Sequence, residues 1–470
     1  MKLLLLFLVM AACLFSVPHN IFAQEETFSF GPFSKVRLYR AQPRPERIVL
    51  FMSGAEGWNK GAADMAERLT GQGNAVVGID ATGYLRGLDA SGGACAYPAA
   101  DFEALSKYVQ KKLALPHYTL PVLAGHSSGA SLVYAVLAQS PPSTFQGGIS
   151  LSFCPHLQLR KPLCRGQGLA TQRDVRTNTT ILLPKRALST PWIVLQGTID
   201  RVCDPGTASS FVKRVPDARI VLLPEVGHEF SLPQNWLPQF QEAYSSLAQA
   251  DQMIQGNGPV SDLPLVEVPA RQKGSDTVAV IVSGDGGWAG LDREVGNALA
   301  TSGIPVVGLN SLQYFWTKRT PAGASADLAR ILRHYLSAGD RKNVILIGYS
   351  LGADVLPFMA ARLPADLLGR VREIALLGPG KRTQFEFHFS EWLGRADEST
   401  SLPVKPEVNK LRGRNILCFY GAGEKDSLCP DLEPDLAELI VMPGGHHFGG
   451  RYGEIADMIL KAAARGKQAE

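Results

Sequence analysis

An internal repeat constrains this chain more than any other feature. RIVLFMSGAEGW (47–58) returns as VAVIVSGDGGW (278–288), and AVVGID (75–80) as PVVGLN (305–310), both displaced by 230 residues. Tyr84 meets Tyr314 at the same displacement. LAGHSSGAS (123–131) then meets LIGYSLGAD (346–354), WIVLQGTIDRVCDP (192–205) meets ILCFYGAGEKDSLCP (416–430), and PEVGHEF (224–230) meets PGGHHF (443–448). Five blocks recurring in one order mark a duplicated unit. A chain of 470 residues is also too long for one ordinary core.

Each unit alternates short apolar, β-branched runs with longer amphipathic or Ala-rich stretches, the pattern of a parallel sheet covered by helices. The runs predict strands near 47–53, 75–80, 119–126, 147–153, 191–197 and 218–224, and again near 277–283, 305–310, 343–349, 373–378, 414–420 and 437–442. The division expected is a first unit over 24–249, a linker at 250–262 carrying GNGPVSDLP, and a second unit over 263–470. Irregular stretches at 154–190 and 380–413 are candidate lids; the second contains FEFHFSEWL, whose aromatics alternate with polar residues.

Both units carry G-x-S-x-G, as Gly125-His126-Ser127-Ser128-Gly129 and Gly348-Tyr349-Ser350-Leu351-Gly352. Alone the motif is weak, but each copy follows an apolar run and precedes a helix-compatible segment. That is the strand–turn–helix setting of a nucleophile elbow, and it makes tandem α/β-hydrolase domains the expected fold. A serine nucleophile needs a base, and the base an orienting carboxylate. His228 and His446 hold matching G-H-x-F positions after the last strand, with His447 as neighbour. Asp200 and Asp426 follow late strands, each three residues before a cysteine; Asp204 and Glu424 are their rivals. The expected triads are therefore Ser350, Asp426 and His446, with Ser127, Asp200 and His228 as the second-site candidates. Oxyanion donors are expected from the amides of Ser128 and Leu351, and from Ala55 and Asp285 or their glycine neighbours in the SGAEGW and SGDGGW loops. The acidic side chains there, Glu56 and Asp285, either face solvent or favour a cationic substrate.

Other features bear on location and partners. Lys2, the run LLLLFLVMAACLF and Ala23 before Gln24 read as a cleavable signal peptide over 1–23, with Cys13 in a poor lipobox. Six further cysteines divide evenly, Cys95, Cys154, Cys164 and Cys203 against Cys418 and Cys429, as expected for disulfides formed within each unit in an oxidising compartment. Three pairings are open in the first unit and one, Cys418–Cys429, in the second. No CxxC or His-rich spacing points to a metal, and no cofactor is expected. A net charge of +4 without a dense Lys/Arg run argues against nucleic acid.

SGDGGW, VVGLNSLQYFWTKRTP, GYSLGADVLP, FYGAGEKDSLCP and PGGHHFGG together resemble the bacterial VirJ virulence proteins across nearly all of 277–455, and the double layout with a signal peptide resembles their larger AcvB-type relatives. The resemblance implies a periplasmic serine esterase that cleaves aminoacyl esters from phospholipid, lysyl-phosphatidylglycerol above all, at the outer face of the inner membrane. It also implies association with envelope secretion proteins, so a non-catalytic secretion partner remains a competing reading, as does a carboxylesterase or acyltransferase of other specificity. An acidic pocket from Asp285 and Asp354 would suit an ammonium-bearing substrate. The first unit departs from the pattern: GYLRGLDASGGACAYP replaces the YFWTKRTP block, Ser131 stands where Asp354 does, and GHEFSLP replaces GHHFGG. It is expected either to be active, to bind a lipid or partner, or to be a decayed copy, with the main activity in the second unit.

Overall fold

The computed structural model describes residues 24–40, 45, 47–70, 73–252, 258–272, 275–338, 341–387 and 401–465. The signal segment and part of the linker lie outside them, as does the end of FEFHFSEWL. Among the described residues no helix is long and apolar enough to cross a membrane.

The first sheet is built from β1 (Gln24–Phe30), β2 (Phe33–Arg40), β3 (Arg47–Met52), β4 (Asn74–Ile79), β5 (Val122–His126), β6 (Gly147–Leu151), β10 (Trp192–Gly197) and β11 (Ala218–Leu223). Their order is β1-β2-β4-β3-β5-β6-β10-β11, parallel from β4 onward. The second is built from β12 (Leu265–Val268), β13 (Thr277–Val282), β14 (Val306–Leu309), β15 (Asn343–Tyr349), β16 (Val371–Leu377), β19 (Ile416–Gly421) and β20 (Glu438–Met442), in the order β12-β14-β13-β15-β16-β19-β20. Both are α/β-hydrolase sheets with helices on the two faces. The candidate lid at 154–190 folds into a small antiparallel sheet of β7 (His156–Leu157), β9 (Thr179–Leu183) and β8 (Ala170–Asp174). In the second unit β17 (Arg382–Thr383) pairs with β18 (Leu402–Pro403).

The strands predicted from apolar runs all appear. The antiparallel β1–β2 hairpin and the antiparallel edge strand β12 add to them. Central strands are buried on both faces, which is why they read as continuous rather than alternating runs.

The repeat has a packing cause. Trp58 lies so close to Gly78 on β4 that a Cβ there would meet its ring at 2.1 Å, and Trp288 lies against Gly308 on β14 in the same way at 2.2 Å. The Trp of one block therefore demands the Gly of the next. Ser53 Oγ likewise accepts the Ala81 amide at 3.2 Å and Ser283 Oγ the Ser311 amide at 2.9 Å, tying each early loop to the helix start beyond the next strand.

Among the described residues the units touch at an apolar cluster of Tyr118, Leu312, Trp316 and Phe387. Trp316 Nε1 donates to the Leu115 carbonyl at 2.8 Å, and Lys111 Nζ stands 4.6 Å from the Trp316 ring centroid.

Candidate active sites

Both nucleophile elbows form at the C-terminal end of a central strand. Ser127 follows β5 at φ 55°, ψ −116°, and Ser350 follows β15 at φ 51°, ψ −121°. Such left-handed backbone costs on the order of 1–3 kcal/mol and persists only where its surroundings enforce it. The flanking glycines are required by close approach: a Cβ on Gly129 would lie 2.4 Å from the Met52 carbonyl oxygen, and one on Gly352 1.9 Å from that of Val282. Ser128 and Leu351 open the following helices, where first-turn amides have no intrahelical acceptor. Ala55 and Asp285 lie in the tight turns after β3 and β13, closed by Gly57 N–H to the Gly54 carbonyl at 3.1 Å and Gly287 N–H to the Gly284 carbonyl at 3.0 Å.

In the first unit the residues read from sequence come together. His228 Nε2 is 3.1 Å from Ser127 Oγ, and its Nδ1 is 3.1 and 3.2 Å from the two Asp200 oxygens. An ionised carboxylate only accepts, so Nδ1 carries the proton and Nε2 is left to accept from the serine. Asp200 Oδ1 also accepts the Val202 and Cys203 amides, each at 2.9 Å. Burial pushes the Asp200 carboxyl up, but hydrogen bonds from Ser152, Cys203 and Val202, with His228 nearby, outweigh it and hold the group below its ordinary value. It stays ionised and holds the imidazole in place.

One participant was not read from sequence. Ser152, at φ 57° just after β6, donates to Asp200 Oδ2 and lies 2.7 Å from His228 Nδ1. The rival Asp204 instead caps the helix Pro205–Val212, accepting the Thr207 amide at 2.7 Å. Asp200, Cys203 and His228 are close enough together to resemble a metal cluster, but the Cys203 sulfur is bonded to Cys154. Cys95 pairs with Cys164, which settles the open choice in this unit, and Cys418 pairs with Cys429.

The second unit corrects one expectation. The carboxylate beside His446 is Glu424, whose Oε1 lies 2.5 Å from Nδ1 while Oε2 accepts the Gly421 amide at 2.6 Å. Asp426 is exposed and does not meet the imidazole. The reason is the anchor. Counting from cysteine equates Asp426 with Asp200, but the cysteines are not equivalent: Cys203 bridges to Cys154 beyond β6, and Cys429 to Cys418 on β19. Counting from the strand-ending glycines, Gly197 and Gly421, places Asp200 and Glu424 both three residues on.

His446 stacks on Tyr349 with ring centroids 5.4 Å apart, and the Tyr349 hydroxyl meets His447 Nδ1 at 2.9 Å. Among the described residues His446 and the Ser350 hydroxyl do not hydrogen-bond; such contacts often tighten only when substrate is bound. Gly378 occupies the Ser152 position, at φ 62° with its amide bonded to the Phe419 carbonyl as Ser152's is to Leu195. A Cβ there would sit 2.9 Å from His446 Cε1.

The electrostatics of the two sites differ sharply. Around Ser350 stand Asp285 and Asp354, both half-buried, and Asp292, 2% exposed. The corresponding positions of the first unit are Ala55, Ser131 and Ala62. Burial pushes the carboxyls of Asp292 and Asp354 well above the ordinary range, backbone amides at Gly284 and Gly380 only partly offset this, and Asp285 raises both further. Asp354 Oδ1 accepts the Gly380 amide at 2.6 Å, and among the described residues Asp292 Oδ1 has no hydrogen-bond partner. A cation placed beside these carboxyl groups would favour their ionised forms.

A serine on a strained elbow, a histidine and a carboxylate beside the histidine, on an α/β-hydrolase sheet, are the parts of a serine hydrolase active site. The family described as bacterial virulence protein (VirJ) matches residues 46–150 and 276–467. The chain belongs to the VirJ family. No curated protein sequence matches it. Among solved structures it is similar to the esterase domain of a Rhodothermus marinus protein, at 18% identity and TM-score 0.32, covering 47% of this chain and 97% of that one. It is also similar to Est1E from Butyrivibrio proteoclasticus, at 14% identity and TM-score 0.33, covering 48% and 99%. An alpha-beta serine hydrolase homologue from Coxiella burnetii matches at 17% identity and TM-score 0.30, covering 48% and 96%.

Proposed function

We propose that the Ser350 site hydrolyses the aminoacyl ester of lysyl-phosphatidylglycerol, acting in the periplasm at the outer face of the inner membrane after removal of a signal peptide. The observation that carries the reading is the carboxyl group at each of Asp285, Asp292 and Asp354, positions that Ala55, Ala62 and Ser131 hold in the first unit. A lysyl group brings one ammonium beside the scissile carbonyl and a second at the end of its side chain, and carboxyl groups at these three positions favour both charges. Three disulfides fit export to an oxidising compartment.

The groups present support the following mechanism. Ser350 Oγ attacks the lysyl carbonyl carbon while His446 takes its proton, and Glu424 steadies the imidazolium that forms. The amides of Leu351 and Asp285 receive the oxyanion. The C–O bond to the glycerol breaks, His446 protonates the departing phosphatidylglycerol, and water repeats the sequence on the acyl-enzyme to release lysine. An aminoacyl ester is an activated carbonyl, so the step asks for positioning and charge stabilisation rather than a cofactor.

The test is lysine release from liposomes containing lysyl-phosphatidylglycerol by the full mature chain. Ser350→Ala is expected to abolish release while the folded signal in circular dichroism is unchanged. If correctly folded wild type releases no lysine, the lipid substrate is wrong.

A further inference from the structure

We infer that the first unit is a second, separately working ester hydrolase, and that it takes carboxylic esters with a short, uncharged acyl group. This does not rest on the aminoacyl-lipid reading of the Ser350 site. Its catalytic apparatus is the more completely assembled of the two: nucleophile, base and acid are joined by hydrogen bonds, and Ser152 bridges the last pair. A decayed copy would have no reason to keep Ser127 at φ 55° and Ser152 at φ 57°, two strained residues that meet at one histidine.

Shape and charge set the acyl group. The cleft beside Ser127 has a volume of about 220 Å³, and Ala55, Ala62 and Met65 contribute to its lining. That lies below the ~300–1,000 Å³ of pockets that enclose drug-sized ligands. The reacting groups are also enclosed: Ser127 is 7% exposed, and the His228 side chain 13% against 40% for His446. The carboxylates bordering the cleft, Glu56 and Glu229, are exposed and solvated, so they repel an anionic acyl group without serving as buried counter-ions for a cationic one. Desolvating an unpaired ammonium costs several kcal/mol. An uncharged chain enters without that cost. Exposed apolar side chains flank Asp200 on the same loop, Ile199 at 59% and Val202, which lines the cleft, at 66%.

In the reaction Ser127 Oγ bonds to the ester carbonyl carbon as its proton passes to His228 Nε2. The C–O bond to the alcohol breaks and the alcohol leaves with that proton. Water then attacks the acyl-enzyme, giving one proton to His228, which returns it to Ser127 as the carboxylic acid departs. Ester and water become acid and alcohol, with nothing left over.

The test uses the full mature chain with p-nitrophenyl butyrate, p-nitrophenyl hemisuccinate and lysyl-phosphatidylglycerol liposomes as probes. Ser127→Ala is expected to lower butyrate hydrolysis at least 100-fold and leave lysine release intact; Ser350→Ala should leave butyrate hydrolysis intact, whatever it does to lysine release. A fluorophosphonate should label the Ser127 peptide of wild type. Unlabelled Ser127, or full butyrate turnover by Ser127→Ala, would overturn the second activity. Hemisuccinate cleaved as fast as butyrate at Ser127 would overturn the uncharged-acyl assignment, and loss of lysine release in Ser127→Ala would overturn the independence of the sites.

Discussion

Glu424→Gln and Asp426→Asn change the same loop by one charge each and should have opposite consequences for the Ser350 site. Glu424 Oε1 meets His446 Nδ1 at 2.5 Å, and its other oxygen is held by the Gly421 amide, so the carboxylate is fixed in position before the imidazole becomes charged. Two unit charges ~4 Å apart interact by ~4 kcal/mol at the effective dielectric of ~20 that suits such sites. Losing that stabilisation of the imidazolium slows the chemical step about 1,000-fold. The amide of the Gln variant also offers Nδ1 a donor as readily as an acceptor, which favours the wrong tautomer. Asp426 is exposed and carries no such role, so its variant should stay within about 2-fold of wild type. The assay is kcat/KM for lysine release, with thermal unfolding to confirm that both variants are folded. A Glu424→Gln enzyme of normal rate beside a disabled Asp426→Asn would refute the geometry and restore the carboxylate counted from the cysteine.

Exchanging the residues behind the histidines should damage both sites. Gly378→Ser brings a Cβ to 2.9 Å from His446 Cε1 and is expected to cut turnover at Ser350 at least 10-fold, while Ser152→Gly removes a bridge to Asp200 and His228 and should slow p-nitrophenyl butyrate hydrolysis by a similar factor; equal rates in either variant would argue against these positions. Glu373, 1% exposed on β16 and with Oε1 unpartnered among the described residues, is pushed by burial up to about 8, with Glu438 adding to the rise. A carboxyl raised in the folded state binds its proton more tightly there, so stability falls as pH rises from the ordinary glutamate range to about 8. Urea unfolding should therefore show Glu373→Gln gaining on wild type between pH 5 and pH 9, by at most about 5 kcal/mol, and parallel pH curves would contradict this. Trp316→Ala empties the cluster between the units and removes the bond to Leu115, so the urea midpoint should drop by the equivalent of ~3–5 kcal/mol, and an unchanged midpoint would show that this contact contributes little.

Much of this was legible because the repeat supplied its own comparison. Central strands appeared as apolar runs, the elbows as glycine-flanked serines after such runs, and the histidines as matched G-H-x-F. The acid of the second site was misplaced because a cysteine, which is fixed by whatever partner it finds in space, was used as a ruler. The end of a parallel strand is fixed by its neighbours' register and would have served better. Ser152 and Gly378 were invisible for a different reason: each matters through a left-handed backbone that brings it under the histidine, and no local pattern marks a serine for that. The β1–β2 hairpin did leave a trace, since Phe28, Phe30, Val36 and Leu38 alternate with polar residues about Gly31-Pro32.

One stretch where the two units differ in sequence is also where they touch. After matching helix starts capped by Asp80 and Asn310, the first unit runs on to Cys95, which is stapled to Cys164 in its own lid. The second unit has no cysteine there and runs instead to Trp316, which is held by the first unit's Leu115 carbonyl and packs against its Tyr118 ring. From that anchor the Phe315 carbonyl accepts the Phe387 amide at 2.6 Å and Arg319 N–H donates to the Phe385 carbonyl at 2.7 Å, fixing the segment that leads back to Gly380 and its bond to Asp354. A covalent staple secures this segment in one unit, and docking onto the neighbour secures it in the other. The segment that bonds Asp354 is thus braced from outside its own unit, which gives a physical reason for the two to remain one chain.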